Sequence, residues 1–151
     1  MQIRRAVSAS YYALFHLLSW AVAEQVSPDS PSGLRGRTQR ALDHGQMADA
    51  ARSFSSPGKC PAKIPEDIGF SGPISGRLAG VAAAFVELQQ ARYLADYDVL
   101  DAAGEVNLPW AQECLEKVDA AFQDWSLEKG SEGARVFLAA LLLWKNWGKK
   151  S

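Results

Sequence analysis

The stretch from Leu78 to Val99 constrains the fold most, because it carries one long inward stripe with a charge set into it. Leu78, Val81, Ala82, Phe85, Leu88, Arg92, Ala95 and Val99 recur at three- and four-residue steps, the period of an amphipathic α-helix. Arg92 therefore points inward with its apolar neighbours. An unpaired buried guanidinium is costly, so Arg92 requires carboxylate or carbonyl partners, and Asp96 stands one turn on, within reach. The helix is expected to open with Ser71 as its cap and Pro73 in its first turn, and to run to about Asp98.

The segment from Gln2 to about Val26 holds neither proline nor glycine and is stopped by Pro28 and Pro31. Apolar residues surround most of it, which puts it at the centre of a bundle. Its polar exceptions Arg5, Tyr12 and His16 share one face with Trp20, and Arg4 lies one position round. A second helix is expected from Leu34 to about Phe54. It is far more polar, and Arg35, Arg37, Arg40 and Arg52 make it the best local basic surface of the chain, or else a solvated face. Breakers fill Ser55 to Ser71, where Ile64, Ile68 and Phe70 suggest an ordered wrap over the core. Asn107 is a plausible cap for a helix from Leu108 to about Glu128, with Pro109 in its first turn. Gly130 ends that helix, and Ser131 opens a last one reaching about Trp147. The apolar run from Val136 to Trp144 has to be covered by its own bundle or by a second subunit, and it carries the expectation of a homodimer. No strand alternation interrupts this pattern. The expected fold is all-α, an antiparallel bundle of four main helices plus a C-terminal helix, in one domain over residues 1–151.

A chain of 151 residues can bury such a core without metal or disulfide help. Sixteen basic against seventeen acidic residues leave a net charge of −1, so no global field draws the protein onto nucleic acid or membranes. Phosphate binding would need a local patch. Cys60 and Cys114 are far apart and lack metal-ligand spacing, which implies free thiols in a reducing compartment and no metal or cofactor. The N-terminal apolar segment is broken by His16, and the run ending at Trp144 is about half of the ~20 residues that span a bilayer. A soluble, cytoplasmic protein is expected.

The sequence RRAVSASYYALFH at residues 4–16 resembles the opening helix of the HEPN domains, helical domains found beside small nucleotidyltransferases and in many prokaryotic toxin and defence systems. RALDHG at 40–45, LQQARYLADYD at 88–98 and RVFLAALLL at 135–143 are similar to the short, single-domain branch of that family, in order along nearly the whole chain. The resemblance implies a bundle that pairs into a dimer, with the polar ends of equivalent helices meeting in a cleft. Many relatives cut RNA without a metal, through an arginine followed within a few residues by a histidine on a late core helix. Arg92 matches that arginine by its place. No histidine follows it: Tyr93, Leu94 and Ala95 lead to Asp96 and Tyr97, and His44 is the last histidine of the chain. A carboxylate ionised at neutral pH is a weak general acid.

The resemblance thus implies an RNA- or nucleotide-associated component of a toxin–antitoxin or defence module, with a nucleotidyltransferase-type antitoxin as a candidate partner. As a binding protein it would hold phosphate at Arg92 with Arg5 and Arg4, in a cleft walled by Tyr12, His16 and Tyr97. As a metal-independent endoribonuclease it would add His16 as the proton-transfer group and Asp96 to orient Arg92. As a dimeric scaffold it would use Arg92 and Asp96 only to fix helix packing. Arg37 and His44, with six residues between them, match the bare catalytic spacing at a different place in the fold. The tyrosine pairs Tyr11 with Tyr12 and Tyr93 with Tyr97 are candidates for stacking on bases, or for the core.

Overall fold

In the computed structural model, which describes residues 2–28, 32–61, 64–96 and 107–147, the chain is all-helical over those residues. The helices are α1 (Gln2–Val26), α2 (Ser32–Arg40), α3 (His44–Ser53), α4 (Gly76–Asp96), α5 (Leu108–Glu128) and α6 (Glu132–Leu143), with short 3-10 turns at Glu66–Ile68 and Trp144–Asn146. α1 is central, as its all-round apolar surface requires. Its Val7, Tyr11, Leu14, Leu18 and Val22 are buried, and α4, α5, α2 and α6 pack around it. By length and composition alone α1 would pass for a membrane span, yet its apolar residues belong to the core of this bundle.

Pairwise contacts fix the directions. Tyr11 meets Phe85 at 5.4 Å between ring centroids, while at the other end of α1 the Gln25 amide donates to the Arg135 carbonyl at 2.9 Å. Gly133, at the start of α6, lies so close to Leu78 that a β-carbon there would come within 3.3 Å of it. α4 is therefore antiparallel to α1. Lys117 pairs with Glu87 at 3.4 Å and Asp124 borders Gly80, so α5 runs antiparallel to α4 and alongside α1. α6 returns along α3, with Phe137 against Phe54 at 5.2 Å and the Lys145 amide donating to Gln46 Oε1 at 2.7 Å.

The sequence reading of a single helix from Leu34 to Phe54 is wrong in one respect. The chain breaks at Ala41, Leu42 and Asp43, giving α2 and α3. Asp43 takes an extended backbone, and its carboxylate accepts from the Gln46 amide at 3.0 Å, a capping geometry that starts a new helix at His44. α2 folds back along α1, where Arg35 pairs with Glu24 at 3.1 Å and stacks over Trp20 at 5.2 Å. The start of α4 also differs: Ser75, not Ser71, accepts from the Leu78 amide at 3.0 Å, and Pro73 precedes the helix. Ser75 in turn donates to Glu128 at 2.8 Å.

The breaker-rich segment wraps the core as expected. Ile74 is buried and exchanges backbone bonds with Gly58 and Lys59, and Ile64 and Phe70 pack on the core, although Ile68 is exposed. Asn107 and Ser131 cap α5 and α6, accepting from Trp110 at 3.0 Å and from Ala134 at 3.1 Å. Phe137, Leu138 and Leu141 are buried within the same chain, so the stripe that argued for a second subunit is used internally. Leu143 of that stripe is exposed, and α5 exposes Leu108, Leu115, Phe122 and Leu127. The end of the Leu78 stripe at Val99 lies outside the described residues.

Removing the α3 cap tests this reading of the break. Asp43→Ala is expected to lower stability by about 1 kcal/mol in urea unfolding. Asp49→Ala breaks only the exposed pair with Arg52 and is expected to cost no more than about 0.5 kcal/mol.

Candidate functional site

The end of the bundle where α1, α3 and α4 meet gathers an arginine, two histidines and three tyrosines. Arg92, one turn before the end of α4, sets its guanidinium over Tyr11 at 5.4 Å, Tyr12 at 5.3 Å and Tyr93 at 5.3 Å. Its Nε lies 3.6 Å from Asp96 Oδ2, with the arginine side chain 20% exposed and the aspartate 52% exposed. An ion pair so open to water contributes about 0–1 kcal/mol, whereas each ring contact contributes about 0.5–1 kcal/mol or more as solvent is excluded. The aromatic rings, more than the carboxylate, hold Arg92. The carboxylate partner expected from the sequence, Asp96, is present, and the three rings are added to it.

Beneath the guanidinium the Tyr11 phenol is bonded to His44 Nδ1 at 2.5 Å. Tyr11 is fully buried, and burial pushes its phenol well above the ordinary value, against the smaller lowering effects of a Gln89 hydrogen bond and the Arg92 charge. The phenol therefore keeps its proton. His44 is shifted the other way: burial lowers its affinity for a proton, and the charges of Arg92 and His16 lower it further against the opposing effect of Asp43. Its place at the first residue of α3 acts in the same direction, because a helix N-terminus disfavours an imidazolium. A protonated phenol facing a neutral imidazole donates to Nδ1, which leaves His44 with its proton on Nε2. His44 is thus built as a hydrogen-bond donor. Phe15 stacks on its ring at 4.2 Å, and Gln89, itself buried, donates to the His44 carbonyl at 3.0 Å.

Of the residues singled out from sequence, Arg92, Tyr12, His16 and Asp96 are brought together. His16 is exposed and stacks beside Tyr12 at 6.1 Å. Arg5 is exposed two turns back along α1, about 10 Å from Tyr12, with the partly buried Arg4 beside it. Tyr97 lies outside the described residues. His44 entered the sequence reading only as a partner for Arg37, but the arginine whose charge acts on it is Arg92. The α2–α3 break decides this, since it swings His44 back against α1. A signal for it was present in Asp43 followed three residues later by Gln46, the pattern of a helix start. Tyr11, Phe15 and Gln89 had no such signal, because aromatic and amide residues on a central helical pattern read as ordinary core. Among the described residues no cluster of three histidine, cysteine or acidic side chains is placed to hold a metal ion.

The depressed His44 gives a pH dependence with a definite sign. Below its ordinary value of 6.5 the unfolded chain takes up a proton that the folded state resists. Stability is therefore present above that value and falls as the pH drops through it toward the lower folded-state value. Urea midpoints measured between pH 7 and pH 5 are expected to fall more steeply for the wild type than for His44→Gln; equal slopes would refute the assignment. Compared with known proteins, the chain matches no family model, no curated protein and no solved structure.

Proposed function

We propose that the protein is a HEPN-like, RNA- or nucleotide-binding component of a prokaryotic toxin–antitoxin or defence module, acting in the cytoplasm. The observation that supports this is Arg92, a partly solvent-reached guanidinium framed by three tyrosine rings, two of them exposed. Such a frame has the chemistry of single-stranded RNA: the cation meets a phosphate, and the faces of Tyr12 and Tyr93 offer stacking for bases. With Nε turned to Asp96, the terminal nitrogens serve the phosphate, and the His44 Nε2–H supplies a further donor. Arg5 and Arg4 extend the positive end of α1 beyond this point. Binding is expected to weaken with salt. Arg92→Ala is expected to remove at least tenfold of the affinity for short RNA and to reduce the salt slope by about 0.7 for each phosphate no longer neutralised. Unchanged affinity in Arg92→Ala at low salt would end this reading.

Metal-independent cleavage is the second reading, supported by His16. It stands beside Tyr12, whose ring also meets Arg92. It would therefore take the proton from a ribose 2′-hydroxyl as that oxygen attacks phosphorus, the P–O5′ bond breaks and the 5′-oxygen leaves with a proton from water, while Arg92 stabilises the phosphorane and Asp96 orients the arginine. Total RNA incubated in EDTA is expected to stay intact if the protein only binds; degradation that disappears in both His16→Ala and Arg92→Ala would establish the enzyme. A scaffold whose Arg92 contacts serve packing alone would show neither binding nor cleavage. Pairing into a homodimer belongs to the same proposal, now supported by Leu108 and Leu115, exposed seven residues apart on α5. Sedimentation at micromolar concentration is expected to give twice the chain mass. A nucleotidyltransferase-type antitoxin remains the proposed protein partner.

A further inference from the structure

Beyond the Arg92 site, α1 carries its exposed face onward through His16 to Trp20, eight residues and about 12 Å from Tyr12. There it borders a cavity of about 900 Å³ between the C-terminal halves of α1 and α5 and the start of α6. Its walls are unusual for a protein surface. Trp20 and Phe122, 48% and 40% exposed, both line it, together with the buried Trp125 and Leu138. Lys129 and Arg135 line the mouth. Glu24, the acidic residue of the lining, is engaged by Arg35, which also covers the Trp20 ring. The charge left to the mouth is positive.

We propose that this cavity is a nucleobase-binding subsite for the same RNA strand whose phosphate Arg92 holds, a proposal that rests on the RNA-binding reading of Arg92. Flat aromatic walls fit the π-face of a base, which every base possesses, and cations at the rim fit the phosphate attached to it. A purely apolar ligand would have no use for Lys129 and Arg135, and a free phosphate would have none for Trp20 and Phe122. Because about 12 Å separates Trp20 from Tyr12 along α1, one strand fills both places only when it is several nucleotides long.

The test is a length series of oligoadenylates, two and six nucleotides long, measured by calorimetry. The wild type is expected to bind the hexanucleotide about tenfold or more tightly than the dinucleotide, beyond what statistical repetition of sites supplies. Trp20→Ala and Phe122→Ala are expected to remove that gain and leave the dinucleotide affinity unchanged; Arg92→Ala weakens both. Should either truncation disturb folding, Lys129→Gln with Arg135→Gln, at two exposed positions, is expected to reduce the salt slope for the hexanucleotide alone. A dinucleotide that binds through Arg92 with no gain on lengthening overturns the subsite and spares the Arg92 reading. A gain that survives both aromatic truncations and the charge removal does the same. Failure of every oligonucleotide to bind overturns the Arg92 reading and the subsite with it.

Discussion

The bond between the Tyr11 phenol and His44 is the contact on which this end of the molecule depends. It joins the central helix to the first residue of α3, directly under a guanidinium supplied by α4. A buried phenol with no acceptor would carry a desolvation cost of about 1–3 kcal/mol, so the position of α3 is specified by more than apolar contact. Gln89 reinforces it from α4 through the His44 carbonyl, and Phe15 presses on the ring from α1. Three helices are thereby held at one point by polar geometry, while Phe85 and the rest of the core fill the space behind it.

That bond also divides the two histidines by role. His44 is neutral, oriented and committed to Tyr11; it can present a hydrogen but has its lone pair already engaged. His16 stands in solvent. Under the proposed function, one preset donor, one caged cation and the ring faces around them would hold a charged, flat-ringed ligand. Proton transfer would fall to the less constrained imidazole, and a catalytic base is ordinarily held by a partner that sets its direction. The balance of the geometry is therefore toward recognition over cleavage.

Much of the architecture was legible in the chain. Proline and glycine positions bounded α1 and α5, the caps Asn107 and Ser131 fell where expected, and the stripe from Leu78 delivered Arg92 to the neighbourhood of Tyr12 and His16. What escaped was governed by turns and by long-range partners. Asp43 interrupts a pattern whose sparse apolar positions fit either one helix or two, and the start signal of Asp43 with Gln46 goes unread beside them. Ser71 is the expected cap of α4, whereas Ser75 makes the bonds to the Leu78 amide and to Glu128. Tyr12 is placed beside Arg92 only through the resemblance, and Tyr11 is not, because both come from another helix and no local spacing encodes that meeting. The apolar final helix is expected to be covered by its own bundle or by a second subunit, and α3 and α1 of the same chain pack against it.

Because Tyr11, His44 and Arg92 come from segments far apart in the sequence, no short fragment of this protein contains the site. Arg92 stands one turn before the end of α4 and His44 opens α3, so fraying of either helix end opens the site while Tyr11 stays held in the core. Ligand held there would therefore act as a brace on those two helix ends, pinning them to α1. The protein's occupancy by that ligand and its lifetime against proteolysis would rise and fall together.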